Sequence, residues 1–178
     1  MSCPADRCEA QYIQEEASRI GGDRRTMRPV RVLFLCTGNS CRSQMAEGLL
    51  RRLVPPEVLE TASAGTAPKP VHPDAVRSMK EIGIDISAQR SKSLDLFLGQ
   101  EFDFVLTLCD EAQQACPAFP GAAQQIHWSL PDPAAAQGTE EARMTVFRSV
   151  RGELAARIEG LLPEIFDRLL LRAFEAVA

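Results

Sequence analysis

Cys36 and Arg42 are separated by Thr37-Gly38-Asn39-Ser40-Cys41, and Ser43 follows directly. A thiolate is a strong nucleophile, and the planar fork of an arginine holds two oxygens of a tetrahedral anion. The residues between them are those of a tight loop. Gly38 permits close backbone approach, and Asn39 tolerates a left-handed conformation. N–H groups converging from such a loop into a helix N-terminus form an anion cradle. Together with Arg42 they are expected to lower the Cys36 pKa, and Ser43 to donate a hydrogen bond to the thiolate. The bland alternative is a buried cysteine at a strand end followed by a surface arginine. Two further thiols, Cys109 and Cys116, flank a short acidic stretch. They are either a redox pair or two core thiols. Asp132, between Pro131 and Pro133, is held on a stiff loop, where a simple turn aspartate is also common.

For the loop to act as a cradle, a strand must end at it and a helix must begin after it. Val30 to Leu35 is an apolar run broken only by Arg31, as in a central parallel strand covered on both faces. Met45, Leu49, Leu50 and Leu53 follow at helical spacing, and Pro55-Pro56 ends that helix. Val58 to Ala64 reads as a second strand and Gly65 to Pro70 as a loop. His72-Pro73-Asp74 opens a second helix, and Gly83 caps its end. Phe102 to Leu108 is a third buried strand with Cys109 at its end. Asp110 to Ala115 is a short acidic helix, Ile126-His127-Trp128 a brief fourth strand, and Leu130-Pro131-Asp132-Pro133 a rigid loop. Beyond Thr139, Val146, Val150, Leu154, Ile158 and Leu162 repeat in a helical pattern. Pro163 either kinks this helix or opens a separate last one, up to about Phe174. Strands alternating with helices predict an α/β fold: an open, mainly parallel four-stranded sheet with helices on both faces. Such sheets bind ligands beyond the C-terminal ends of their strands. The loops after Leu35, Leu108 and Trp128 should therefore fall together.

The chain has 178 residues, 45% hydrophobic and 25% charged, which suits one domain, 30–178, behind a polar and flexible leader, 1–29. A net charge of -4 with scattered basic residues argues against nucleic acid, so any anion site must be local. No apolar run approaches the roughly 20 residues that span a bilayer, and the charged leader lacks the apolar core of a secretory signal. The 6 cysteines accordingly suit a reducing cytoplasm, as catalytic, redox-active or buried thiols. Without a Cys-x-x-Cys pair, and with His72 and His127 alone, no zinc or other metal site is expected. Cys3 and Cys8, in the leader, are read as thiols without a role.

The run from Cys36 to Gly48, Cys-Thr-Gly-Asn-Ser-Cys-Arg-Ser-Gln-Met-Ala-Glu-Gly, resembles the anion loop of the low-molecular-weight tyrosine phosphatase superfamily. More narrowly, it resembles the thioredoxin-coupled arsenate reductases built on that fold. The similarity runs from about Val30 to Ile158. Ser63-Ala64-Gly65, Leu106-Thr107-Leu108-Cys109, Cys116-Pro117 and Asp132-Pro133 all agree in order. The resemblance implies arsenic detoxification by reduction of arsenate to arsenite. Thr37, Gly38, Asn39, Ser40, Cys41 and Arg42 would bind the oxyanion. Cys36 would attack it; Cys109 would attack the adduct, giving a Cys36–Cys109 disulfide and arsenite. Cys116 would then attack Cys109, leaving a disulfide for thioredoxin to reduce. Asp132 would be the general acid. The implied partners are arsenate and thioredoxin, with a monomeric enzyme and no tightly bound cofactor. Geometry adds a constraint: seven helical residues rise about 10.5 Å, whereas disulfide Cα atoms lie within roughly 7 Å. The segment from Cys109 to Cys116 must therefore unwind or loop out on oxidation.

Two departures carry information. Phosphatases of this family place aromatic residues after the acid loop, to wall a phenyl ring. Ala134, Ala135 and Ala136 stand there, and the one tyrosine is Tyr12, in the leader. Related reductases hold potassium with residues matching Asn39, Glu47 and Ser63 plus an aspartate, at whose place Lys92 stands. That speaks against potassium; the expectation is that the Lys92 ammonium replaces the cation, pairs with Glu47 and supports the loop. The competing readings are a phosphatase hydrolysing phosphate monoesters and a redox-sensing oxyanion module. Cys109 and Cys116 favour the reductase over the first, and the Cys36/Arg42/Asp132 set weighs against the second.

Overall fold

A computed structural model describes residues 28–115 and 118–175. Its strands are β1 (Val30–Cys36), β2 (Leu59–Gly65), β3 (Phe102–Thr107) and β4 (Ala122–His127). Its helices are α1 (Arg42–Leu53), α2 (Pro73–Lys80), α3 (Asp110–Ala115) and α4 (Glu140–Glu175). All strand pairs are parallel, in the order β2-β1-β3-β4. Register then does the positioning. Cys36 lies beside Gly65, Leu35 beside Thr107, and Thr107 beside His127. The loops that leave β1, β3 and β4 therefore emerge along one rim.

The alternation of β1 builds both layers. Val30, Val32, Phe34 and Cys36 join Met45, Leu49 and Leu50 of α1 and Phe147, Val150, Leu154 and Ile158 of α4 in the larger core. Leu33 and Leu35 point the other way, to Ala64, Phe102, Val105 and Phe119, where the 3-10 turn Leu94–Phe97 closes the face. Each such large side chain, removed from water, contributes roughly 1.5–3 kcal/mol.

Beyond one-residue shifts at the ends of β1, β2 and β3, two boundaries differ from the sequence expectation. β4 begins at Ala122, and Trp128 lies beyond it. Its residues Ala122 to Gln125 have no apolar alternation; pairing with β3, from Phe102 opposite Ala122 onward, makes them a strand. Helix α4 runs unbroken through Pro163. Proline leaves the carbonyl four residues earlier, that of Glu159, without its helical donor. Both residues face solvent, so water can serve that carbonyl. The buried stripe of α4 is Met144, Phe147, Val150, Leu154, Ile158, Leu161, Ile165 and Leu169. It mixes three- and four-residue steps because 3.6 residues make a turn; a strict four-residue series drifts off the face, and Val146 and Leu162 are only half-buried. At its end Arg172 closes on Asp103 at 2.6 Å and donates to the Arg28 carbonyl, tying α4 to the entry of β1.

Candidate active site

The loop between β1 and α1 turns its carbonyls outward. Those of Cys36, Thr37, Gly38 and Ser40 accept from the N–H groups of Thr66, Ala67, Lys69 and His72 in turn, at 3.3, 2.9, 2.8 and 2.9 Å. The Asn39 carbonyl accepts from Gln44 Nε2 at 3.0 Å and from Ser91 Oγ at 2.6 Å. With the carbonyls taken from outside, the loop N–H groups are left for an anion inside. The close approach that this needs falls on Gly65 rather than Gly38: a Cβ on Gly65 would lie 2.6 Å from the Thr37 carbonyl oxygen and 2.8 Å from the Asn39 nitrogen.

Asn39 is the hub. Fully buried and left-handed at φ 45°, it donates through Nδ2 to the hydroxyls of Ser43 and Ser63, both at 2.8 Å. Its Oδ1 accepts from Lys92 N at 2.7 Å and Gln44 Nε2 at 3.1 Å. Ser63 in turn donates to the buried Glu47 carboxylate. With the Ser43 oxygen accepting from Asn39, the Ser43 proton is free to point at Cys36 Sγ, 2.9 Å away. Asn39 N–H reaches the same sulfur at 3.1 Å.

These groups were expected to lower the Cys36 pKa, and the net direction is the opposite. Burial pushes the thiol above its ordinary value; the hydroxyl and N–H of Ser43, the Asn39 N–H and the Arg42 charge pull it down without reversing the shift. Arg42 acts least on it, and its fork is engaged elsewhere. Its Nη1 donates to the Leu130 carbonyl at 2.8 Å, and Nη2 lies 3.4 Å from Asp132 Oδ1. Arg42 thus joins the cradle to the loop after β4, and the two residues expected to hold the oxyanion and to protonate it are paired. Asp132 is at the same time a turn residue, accepting from Ala134 N at 3.3 Å. Ala134 and Ala135, beside it, are exposed, and Trp128 packs into the core against Phe34 with ring centroids 6.4 Å apart. Among the described residues no aromatic wall is built there.

Cys109 is buried with its Sγ 3.4 Å from Thr37 Oγ1, at the edge of the cradle. Asp110 to Ala115 form the expected short helix, α3. Cys116, like Cys3, Cys8 and Tyr12, lies outside the described residues. Cys41 is buried beside Ser40 Oγ at 3.6 Å, and burial pushes its thiol up to about 12.

Below the cradle, Lys92 Nζ stands 3.4 Å and Arg51 Nη2 2.5 Å from the Glu47 carboxylate. Sequence reasoning missed Arg51, Gln44 and Gly65 as parts of this support. A Glu47–Arg51 spacing typical of helix pairs was the available signal for the first. It also missed His127, which bridges Thr107 and Asp110 on either side of Cys109.

A family model described as low molecular weight phosphotyrosine protein phosphatase matches residues 31–169. The chain belongs to this family. Among its relatives is the arsenate reductase of Halalkalibacterium halodurans, 50% identical over 128 residues, which are 72% of this chain and 91% of the relative. A solved arsenate reductase in a phosphate-binding state is 36% identical with a TM-score of 0.66, covering 76% of this chain and 98% of that one. The thioredoxin-dependent arsenate reductase of Corynebacterium glutamicum is 27% identical with a TM-score of 0.60, covering 90% of this chain and 70% of that one. Arg172, which ties the end of α4 to β1, lies just past the span that matches the family. No helix among the described residues is long and apolar enough to cross a membrane.

Proposed function

We propose that this phosphatase-family chain reduces arsenate to arsenite in the cytoplasm with its own thiols, drawing electrons from thioredoxin. The observation that carries the reading is Cys109, a second buried thiol hydrogen-bonded to Thr37 at the edge of the nucleophile's cradle. Hydrolysis has no use for it. A two-electron reduction does.

In the proposed cycle hydrogen arsenate settles on the N–H groups of Thr37 to Arg42, and the Arg42 fork turns from Asp132 to its oxygens. Cys36 sulfur attacks arsenic(V). One arsenate oxygen leaves as water with the arsenate proton and the thiol proton, the latter taken up by Asp132 and passed on by it, as the acid, to the leaving oxygen. The burial that keeps Cys36 protonated in the free cradle suits this order, because the proton is needed on the leaving oxygen. Cys109 thiolate then attacks Cys36 Sγ. The S–S bond forms, the S–As bond breaks, and its electron pair stays on arsenic, which departs as arsenite. Cys116 thiolate attacks Cys109 Sγ and releases Cys36 thiolate. The thioredoxin dithiol reduces Cys109–Cys116, supplying the two electrons that arsenic took. Asn39, Glu47, Ser63 and Lys92 support the loop, with the Lys92 ammonium doing the work of a bound cation. Six residues between two bonded cysteines require α3 to open on oxidation, so hydrogen exchange there should rise in the Cys109–Cys116 form.

The test is arsenate-dependent NADPH consumption with thioredoxin and its reductase, for wild type and Cys109→Ser. Turnover in the first and none in the second is expected. No turnover beside good phosphate-ester hydrolysis would establish the second reading, a phosphatase, which the Cys36/Arg42/Asp132 arrangement also serves.

A further inference from the structure

In that cycle Cys109 makes two disulfides, one toward the cradle and one away from it. The segment that carries it has to be held for the first and released for the second. The segment has little grip of its own. α3 has 6 residues, of which Ala112 alone is buried; helices far shorter than about 12 residues are unstable by themselves in water.

One side chain from the neighbouring strand brackets the thiol instead. His127 is in register with Thr107, across the β3–β4 pair. Its Nδ1 lies 2.8 Å from Thr107 Oγ1, and its Nε2 lies 3.0 Å from Asp110 Oδ1. A carboxylate only accepts, so Nε2 carries the proton; Nδ1 pairs with the Thr107 hydroxyl, which can give or take the bond and also reaches the Ile126 carbonyl at 3.5 Å. Thr107 ends β3 and Asp110 begins α3, so the bridge spans Leu108 and Cys109 from both sides. Asp110 is also bonded by Ser129 and, with His127, is held below the ordinary carboxylate range. It therefore stays an acceptor for the imidazole. The Leu108 N–H is fixed to the Leu35 carbonyl at 2.8 Å; among the described residues α3 is held by buried Ala112, by the Asp110–Ser129 bond and by this bridge.

We infer that His127 is a positioning residue that latches the redox segment: through Thr107 and Asp110 it holds Cys109 at the cradle edge for attack on the Cys36 adduct, and its bond to Asp110 must open before residues 110–115 unwind toward Cys116. The inference rests on the arsenate-reductase reading. His127 touches no reacting atom in it; it acts through the placement of Cys109.

The experiment uses the full chain in the Cys116→Ser background, where the Cys36–Cys109 disulfide has no onward route. Reduced protein is mixed with arsenate, quenched by alkylation, and the disulfide is counted by peptide mass spectrometry; hydrogen exchange over residues 110–115 is followed in parallel without arsenate. Loss of the bridge in His127→Ala should slow disulfide formation about tenfold or more, since small misplacements of a reacting group carry costs of that order. The arsenate concentration for half-maximal rate should stay within about twofold, because the cradle itself is untouched. Exchange over 110–115 should rise about tenfold or more as local opening becomes easier. His127→Gln, whose amide can occupy the Nε2 position and donate to Asp110, should recover most of the rate. His127→Asn, which mimics Nδ1 alone, should not. Asp110→Ala, which removes the acceptor, tests the bridge from its exposed end, should the histidine variants fold poorly, and should raise exchange in the same way.

Unchanged disulfide formation and exchange in His127→Ala and Asp110→Ala would overturn the latch. If the Cys116→Ser parent forms no disulfide with arsenate, the reductase reading fails; the exchange comparison still decides whether the bridge holds α3.

Discussion

Replacing Asn39 probes the cradle at its hub. Its side chain donates to Ser43 and Ser63 at 2.8 Å each and accepts from Gln44 and Lys92 at 3.1 and 2.7 Å. All four bonds are lost in Asn39→Ala. At about 1 kcal/mol net for each, the loss is about 4 kcal/mol. Alanine must also hold φ near 45°, which costs an L-residue with a Cβ about 1 kcal/mol more than glycine. Asn39→Gly should therefore lose about 4 kcal/mol and Asn39→Ala about 5 kcal/mol, a large share of the roughly 5–15 kcal/mol that a domain ordinarily has. Asn39→Asp separates shape from hydrogen bonding. It keeps the outline and the two acceptor bonds, but an ionised carboxylate cannot donate to the two hydroxyls. It should fall between wild type and glycine. Urea unfolding of the four proteins under reducing conditions measures the series. If alanine and glycine are equal, the left-handed cost is misassigned. If both lie within about 1 kcal/mol of wild type, the hub itself is refuted.

The other predictions concern titration and cations. Burial raises the thiols of Cys36 and Cys41, the latter to about 12. Above roughly pH 8.5 the unfolded chain releases protons that the folded chain keeps, so the folded state binds more and stability falls as pH rises. The urea midpoint should therefore decline between about pH 8.5 and 12, and Cys41→Ala should flatten the decline; a flat wild-type profile would contradict the burial argument. With Lys92 Nζ and Arg51 both on the Glu47 carboxylate, the melting temperature should be the same in sodium and in potassium chloride. A potassium-specific rise would sink the idea that the ammonium replaces a cation. Lys92→Gln should cost about 1–2 kcal/mol, less than a fully uncovered buried carboxylate, because Arg51 and Ser63 remain.

Local pattern carried far in this chain. The apolar run up to Cys36 reads as a covered strand, the residues 37–41 as a tight loop, and the stretch from Arg42 as a helix, because apolar runs, turn residues and helical spacing act over a few neighbours. The bounds of α3 and the His72 cap of α2 are legible for the same reason. Where a property depends on chain tens of residues away, local pattern is silent. Ala122 to Gln125 become a strand through their register with β3. The cradle faces inward because residues 66–72 take its carbonyls, and Gly65, not Gly38, makes the room. Arg42 could be recognised as an anion fork, but its present partners, Leu130 and Asp132, come from the loop after β4. The sign of the Cys36 shift belongs to the tertiary structure as well. The hydrogen bonds that favour a thiolate are written in the residues beside it, whereas the desolvation that outweighs them arises only when the whole core closes over the sulfur.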